Sequence, residues 1–357
     1  MMKVFGIEEC DEISWNEWIF SQPGGSHLQS SYHAKIIERS FFEKAWFVSD
    51  ENIKLLFFIG AGNIFPTRRL VHKIIERIGG KVLHWEMGPV SSLWLENPTY
   101  ILFFLKEIVT LAKKMNVSKI EGVTAPYYNP LISPEISDNI FRKVGFLCSR
   151  MATIILDLEG KSEEDLFKGL TSEARRKVRK AEKLGVTVRE INLKKELHLF
   201  HQIRKETARR AKIAYYPDIL NETISIYPPE FIHIWVSFHE GKLVSGQMAT
   251  VTADTVRLTG VSYSDYAKAK SLPGNDLVQW HIIKWARKKN FKLIDWLGYN
   301  LKPKNEKERN IDRFKAKWGG KVLEYGRYTK IINPSRLKIL SLGKNLYKYL
   351  YNNFNIL

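Results

Sequence analysis

The sequence predicts a mixed α/β (α+β) chain of two tandem units, each with a mixed, largely antiparallel sheet. Three observations predict it. The chain has 357 residues, a length that suits two domains. Apolar residues make up 44%, enough to build real cores. The order of elements also repeats: in each half, antiparallel strands are followed by a helix and a further strand. The repeat lies in the pattern and not in the residues. A boundary near 150 gives domains of 1–150 and 151–332, with a tail of 333–357.

In the first half, Ser14 is placed to cap a helix over "WNEWIFSQ", which Pro23-Gly24-Gly25 ends. A second amphipathic helix falls near 30–40. "AWFVS" and "IKLLFFIGAG", split by Asp50-Glu51-Asn52, read as a β-hairpin. "KVLHWEMGPV" reads as a strand. "PTYILFFLKEIVTLAKKMN" reads as a helix with Ile101, Phe104, Leu105, Ile108 and Ala112 on one face. "SKIEGVTA" is a strand, and "ISDNIFRKVGF" a short helix stopped by Gly145.

In the second half, "ATIILDL" is a strand, and Ser162 with Asp165 forms a capping pattern for "SEEDLFKGL". In "TSEARRKVRKAEKLGV", Ala174, Val178, Ala181 and Gly185 share one helix face, Ser172 is a candidate cap, and Gly185 the stop. "VTVREI" is a strand and "LKKELHLFHQIRKETARRA" a long helix. "FIHIWVSF", "KLVSGQMATV" and "TVRLTGVSY" form a three-stranded meander. "GNDLVQWHIIKWARKKN" is a helix, "KLIDWLG" a strand, "ERNIDRFKAKWGG" a helix and "KVLEYG" a last strand. His233 and His281 fall on apolar stretches and read as core.

Two cysteines, Cys10 and Cys148, exclude a disulfide scaffold and a cysteine-rich metal site. Cys148 has no nearby base in sequence and reads as structural. No metal-ligand motif of the H-E-x-x-H or C-x-x-C kind is present, nor a Walker pattern. "MMKVFGIEECDEISW" does not read as a signal peptide, and no apolar run approaches a membrane span. The expectation is a cytoplasmic, monomeric protein without a metal.

The net charge is +18, and it is localised. Residues 168–216 carry 15 basic and 5 acidic side chains, and residues 284–357 carry 19 and 5. All other segments together are net acidic. Such clustering points to an anionic partner: nucleic acid, a phosphorylated substrate or an acidic membrane face. A Lys-rich composition habit is the bland alternative. Arg175, Arg176, Arg179, Lys180 and Lys183 spread over the solvent side of their predicted helix, where phosphates would bind. The tail "SRLKILSLGKNLYKYLYNNFNIL" interleaves lysines with Leu340, Leu346 and Leu350, as in an interfacial helix on an anionic membrane, or a helix docked on the body.

Several motifs, in order from about residue 27 to 330, resemble those of the Fem-type (FemABX) aminoacyltransferases. "LTSEARRKVRKAEKLGVTV" resembles the family signature. "HLQSSYHAKI", "MGPV", "VGF", "LDL", "KETARR", "IDWLG" and "RFKAKWGGKV" resemble its other landmarks. The resemblance implies two tandem acetyltransferase-like (GNAT) domains. It implies transfer of an amino acid from aminoacyl-tRNA, as co-substrate rather than cofactor, to an amine of a nucleotide- or lipid-linked peptidoglycan precursor. It also implies substrate-binding roles for Lys35 and Arg210, and a catalytic or tRNA-end-binding role for Lys315, with Phe314 under the terminal adenine or in the core. Tyr216 departs from the family pattern, standing where a precursor-binding arginine can sit, and is a further substrate-binding candidate. An acyl-CoA-dependent N-acyltransferase of envelope polysaccharide or lipid assembly is the alternative, as is a non-catalytic RNA- or membrane-binding protein of the same fold.

An aminoacyl ester is already activated, so the enzyme needs only a placed amine and an oxyanion stabiliser. Lys315 suits the second task. Asp295, between apolar residues in "LIDWLG", is a candidate proton acceptor for the amine, or a turn cap. Tyr263 and Tyr266 follow the meander, where acyl donors bind in acetyltransferase-like folds. Gly274 and Asn275 open a helix where coenzyme A would need a glycine-rich cradle. A lone glycine flanked by Pro273 is a poor one.

Overall fold

The computed structural model describes residues 2–22, 24–61, 77, 81–126, 134–252, 254–338 and 342. The chain divides into two compact units, residues 1–151 with 324–357, and residues 152–323.

In the first unit, β1 (Lys3–Phe5), β2 (Lys44–Ser49) and β3 (Ile53–Gly60) run antiparallel in sequence order. β4 (Lys81–Trp85) pairs antiparallel to β3 and parallel to β6 (Val117–Val123). The short β5 (Val90–Ser91) pairs with β3. A parallel neighbour needs a crossover, and α3 (Pro98–Lys114) supplies it, capped by Asn97. Preceding it are α1 (Glu12–Ser21) and α2 (Ser31–Ile36); α4 (Pro134–Lys143) follows β6. Ile101, Phe104, Leu105 and Ile108 of α3 are buried together with Phe57, Trp85 and Phe141. The predicted period thus places the helix on the sheet.

The second unit repeats this order. β7 (Leu147–Asp157) enters it, followed by α5 (Glu163–Gly169), α6 (Ser172–Lys183) and β8 (Thr187–Glu190). Then come α7 (Leu193–Ala211), α8 (Pro217–Ile226) and the meander β9 (Ile232–His239), β10 (Lys242–Thr252) and β11 (Thr255–Tyr263). α9 (Asp265–Ala269) and α10 (Gly274–Lys288) lead to β12 (Leu293–Asp295), and α11 (Glu306–Ala316) to β13 (Lys321–Ile331). β8 to β11 are successively antiparallel, β11 and β12 are parallel across α10, and β12 pairs antiparallel with residues 155–157 of β7. Ala174, Val178 and Ala181 of α6 meet Val278, Ile282 and Ala286 of α10 in this unit's core. Both units therefore share one topology: antiparallel strands, a helical crossover to a parallel strand, then an antiparallel edge.

Five expectations are corrected. Residues 324–332 belong to the first unit, because Arg327–Ile331 of β13 hydrogen-bond to Lys119–Val123 of β6. The cap of α1 is Asp11, which accepts from Ser14 N, and that of α6 is Thr171, which accepts from Ala174 N. His233 is only half-buried: its Nδ1 lies 2.6 Å from Glu190 Oε1 and its ring packs against Trp235 and Trp285. His281 is also half-buried. The capping box at Ser162 and Asp165 forms as expected. α8 was not foreseen. Residues 339–341 and 343–357 of the tail lie outside the described residues.

Both cysteines are half-buried beside apolar clusters. Burial is the largest cause that pushes the Cys10 thiol up to about 12, with Glu12 adding to it. The thiolate is the reactive form. Alkylation of Cys10 by iodoacetamide at pH 8, followed by peptide mass spectrometry, is expected to run on the order of a thousandfold slower than for a free thiol. A rate near that of a free thiol would contradict this environment.

Candidate active site

The second unit brings three helix ends together. Lys317, at the C-cap of α11, accepts from Thr171 N through its carbonyl (3.0 Å), which ties it to the start of α6. Its ammonium hydrogen-bonds Asp276 in the first turn of α10, and both side chains are buried. Burial pulls the Lys317 ammonium below the ordinary lysine range, against the pull of Asp276. The ammonium also lies over Phe314, 4.5 Å from the ring centre. Phe314 is half-buried and meets the core ring of Trp318 edge-on at 6.2 Å.

Lys315 lies between Phe314 and Lys317 in sequence but points elsewhere. Its Nζ donates to the backbone carbonyls of Leu297 and Gly298, just after β12. Both residues are left-handed, with φ of 52° and 53°, a conformation that costs a leucine about 1 kcal/mol or more. Asp295 helps to hold the turn: it accepts from Leu297 N at 2.8 Å and from Thr153 Oγ1. Arg257 pairs with its other oxygen at 3.4 Å. Burial lowers the Lys315 pKa, and Asp312 and Asp295 partly restore it. An ammonium carries three protons. Two point at carbonyls, which leaves one for a substrate oxygen.

Asp295 is fully buried, so the expected proton-acceptor role is corrected: no amine reaches it. It positions the turn that holds Lys315. Gly274 is corrected too. A Cβ there would lie 2.3 Å from Val244 Cγ1 and 2.8 Å from Ser237 Oγ, so the glycine lets α10 close onto β9 and β10. Pro273 supplies no N–H at the head of α10, and Asp276 in its first turn is turned inward onto Lys317. These residues do not fit a coenzyme A pyrophosphate. Asn275 is half-buried there, with Oδ1 unpaired.

The remaining candidates scatter. Lys35 lies in the first unit, where it pairs with Glu12 at 2.7 Å. Arg210 is not open to a substrate: it bonds Asp265, Thr207 Oγ1 and Tyr263 O, and stacks over the Tyr263 ring at 4.3 Å. Tyr266 hydroxyl lies 2.8 Å from His239 Nδ1. Tyr216 precedes α8 and lines a separate cavity.

Of the α6 cations, Arg175 is spent on the carbonyls of Lys168 and Leu170. Arg179 lies over Phe167 at 5.4 Å, and Lys177 is paired with Glu173 at 2.7 Å. Arg176, Lys180 and Lys183 are exposed at helical spacing. None of them enters a hydrogen bond or ion pair among the described residues.

Residues 148–221 match the model of the FemAB family. This segment resembles that family over its matched residues, and it takes in α6 with its cations. The fold of the chain is similar to several solved structures. FemX is similar over 98% of this chain and 99% of its own, at 14% identity and a TM-score of 0.71. L-PGS from Bacillus licheniformis is similar over 97% and 98%, at 14% identity and a TM-score of 0.58. A tandem GNAT protein from the clavulanic acid biosynthesis pathway is similar over 94% and 99%, at 10% identity and a TM-score of 0.54. These likenesses place the chain in the tandem GNAT-like fold. No curated protein sequence matches it. Among the described residues, no helix is long and apolar enough to cross a membrane.

The buried Lys317–Asp276 pair and the Arg257–Asp295 pair were missed from sequence. The K-x-K spacing of 315 and 317 was the available signal, since residues two apart point to nearly opposite sides of a helix.

Proposed function

We propose that this protein is a Fem-type acyltransferase that moves an aminoacyl group from aminoacyl-tRNA to an amine of a peptidoglycan precursor. The observation that carries the reading is the FemAB-matching segment itself, which presents three unpaired cations on one exposed helix face. A tRNA acceptor stem is a polyanion suited to that face. The poor cradle at α10 favours this donor over acyl-CoA.

In the reaction the acceptor amine attacks the ester carbonyl. A C–N bond forms, the C–O bond to the ribose breaks, and the ribose oxygen takes the proton that the amine gives up. The remaining Lys315 proton faces the oxygen on which charge develops, in a partly desolvated place where that attraction is strong.

Incubation with charged tRNA and labelled precursor tests the reading. Label is expected in the precursor only while the tRNA is intact; RNase-insensitive transfer that needs acyl-CoA would overturn the donor. The face is tested by salt. Replacing Arg176, Lys180 and Lys183 together by alanine is expected to flatten the slope of log affinity against log salt by about 2 to 3. An unchanged slope would remove α6 from the interface.

A further inference from the structure

A second cavity, of about 270 Å³, lies in the second unit between α7, α8 and strands β10 and β11. Its lining shares no residue with the turn at Lys315. Phe200, Ile219, Leu220 and Met248 make it apolar on several sides. Arg204, Tyr215 and Thr259 supply the polar groups.

These three groups are arranged for a ligand. Arg204 is half-buried, and no carboxylate pairs with it among the described residues. Its guanidinium lies 5.4 Å from the ring centre of Tyr215. A guanidinium is planar and presents a fork of donors that matches a carboxylate. Thr259 Oγ1 is buried without a hydrogen-bond partner, which costs free energy unless something else fills the role. Tyr215 is fixed by a chain. Asn221 Oδ1 accepts at 2.9 Å from His201 Nε2, so the other ring nitrogen, Nδ1, accepts from the Tyr215 hydroxyl at 2.5 Å. The phenol donor is thereby used up and its oxygen turns to Arg204. Gly260 also lines the cavity, and its φ of +63° is a left-handed conformation that favours glycine.

We propose that this cavity binds a carboxylate-bearing ligand with an apolar body, of the class of a peptide C-terminus or an acylated amino acid. Arg204 takes the carboxylate, the Thr259 hydroxyl donates to it, and Phe200, Leu220 and Met248 cover the apolar part. The ligand binds without covalent chemistry. The inference stands on the cavity alone and does not depend on the donor or acceptor proposed above.

Calorimetric titration of the full chain tests it with three probes: N-acetyl-leucyl-alanine, N-acetyl-leucine, and the amide N-acetyl-leucyl-alaninamide. Both acids are expected to bind, and the amide about tenfold more weakly or worse, as loss of a charge-assisted pair implies. Tighter binding of the dipeptide acid assigns the cavity to a peptide terminus; equal binding of the two acids assigns it to acylated amino acids. Arg204→Gln is expected to abolish the preference for acid over amide, and Arg204→Lys to restore part of it. Thr259→Val, which leaves the arginine in place, is expected to weaken the acids several-fold. The proposal is overturned if neither acid binds at millimolar concentration. Equal binding of acid and amide overturns it as well, as does an acid preference that survives in a folded Arg204→Gln protein.

Discussion

Lys315→Ala is expected to lower the rate of transfer by about 10²- to 10³-fold, as removal of one oxyanion donor does. The chain should stay folded, because Lys315 is half-buried and its two carbonyl partners open to water once the side chain is gone. Binding of tRNA through α6 should keep its salt slope. Lys315→Arg should not rescue turnover. A guanidinium is planar and larger, and it cannot direct two protons at Leu297 O and Gly298 O with a third out of their plane, as a tetrahedral ammonium does. The pH profile supplies a second readout. Burial lowers the pKa of Lys315, and the protonated form is the active one. Activity should therefore fall as pH rises through that lowered value, below the ordinary lysine value of about 10.4. The alanine variant should lack this alkaline limb. Near-wild-type turnover in Lys315→Ala would reject the role. A non-catalytic binder of the same fold would show no turnover to lose in either protein.

The architecture was legible because its signals are local. Apolar period placed α3, α6 and α10, and the turn at Asp50-Glu51-Asn52 placed the β2–β3 hairpin. α8 escaped because "PDILNETISI" is rich in β-branched residues, and tertiary packing of Leu220, its one buried residue, decides its state. The return of β13 to the first unit was not legible, because strand pairing at long range leaves no local mark. The site was half legible. Lys315 could be singled out, yet Asp295 could not be told from a base, since "LIDWLG" does not show that Arg257 and Thr153 close over it. Likewise Arg210 looked available in "KETARR", and only the fold shows Asp265 and Tyr263 holding it. Sequence gives the type of charge at a position; burial and partners decide whether that charge is spent.

Arg257→Leu is expected to cost the second unit about 3–5 kcal/mol, the usual penalty for breaking a buried pair from one side. Asp295 is fully buried and Arg257 nearly so. Removing the cation strands a buried carboxylate that Thr153 and the Leu297 amide hold in place. For a unit of this size the loss should lower the thermal midpoint by roughly 10 °C. Joining Arg257→Leu with Asp295→Asn should restore much of that loss, because a neutral amide needs no counter-charge; a double-mutant cycle reads the difference directly. Activity should follow by a mechanical route. The Leu297–Gly298 turn loses its anchor, the carbonyls that aim Lys315 drift, and an error of about 1 Å at such a point costs on the order of a hundredfold. The positioning role thus predicts that Asp295→Asn lowers stability and turnover together. A proton acceptor would behave otherwise: Asp295→Asn would keep its thermal midpoint while losing turnover by a thousandfold or more, and that result would return the carboxylate to the chemistry.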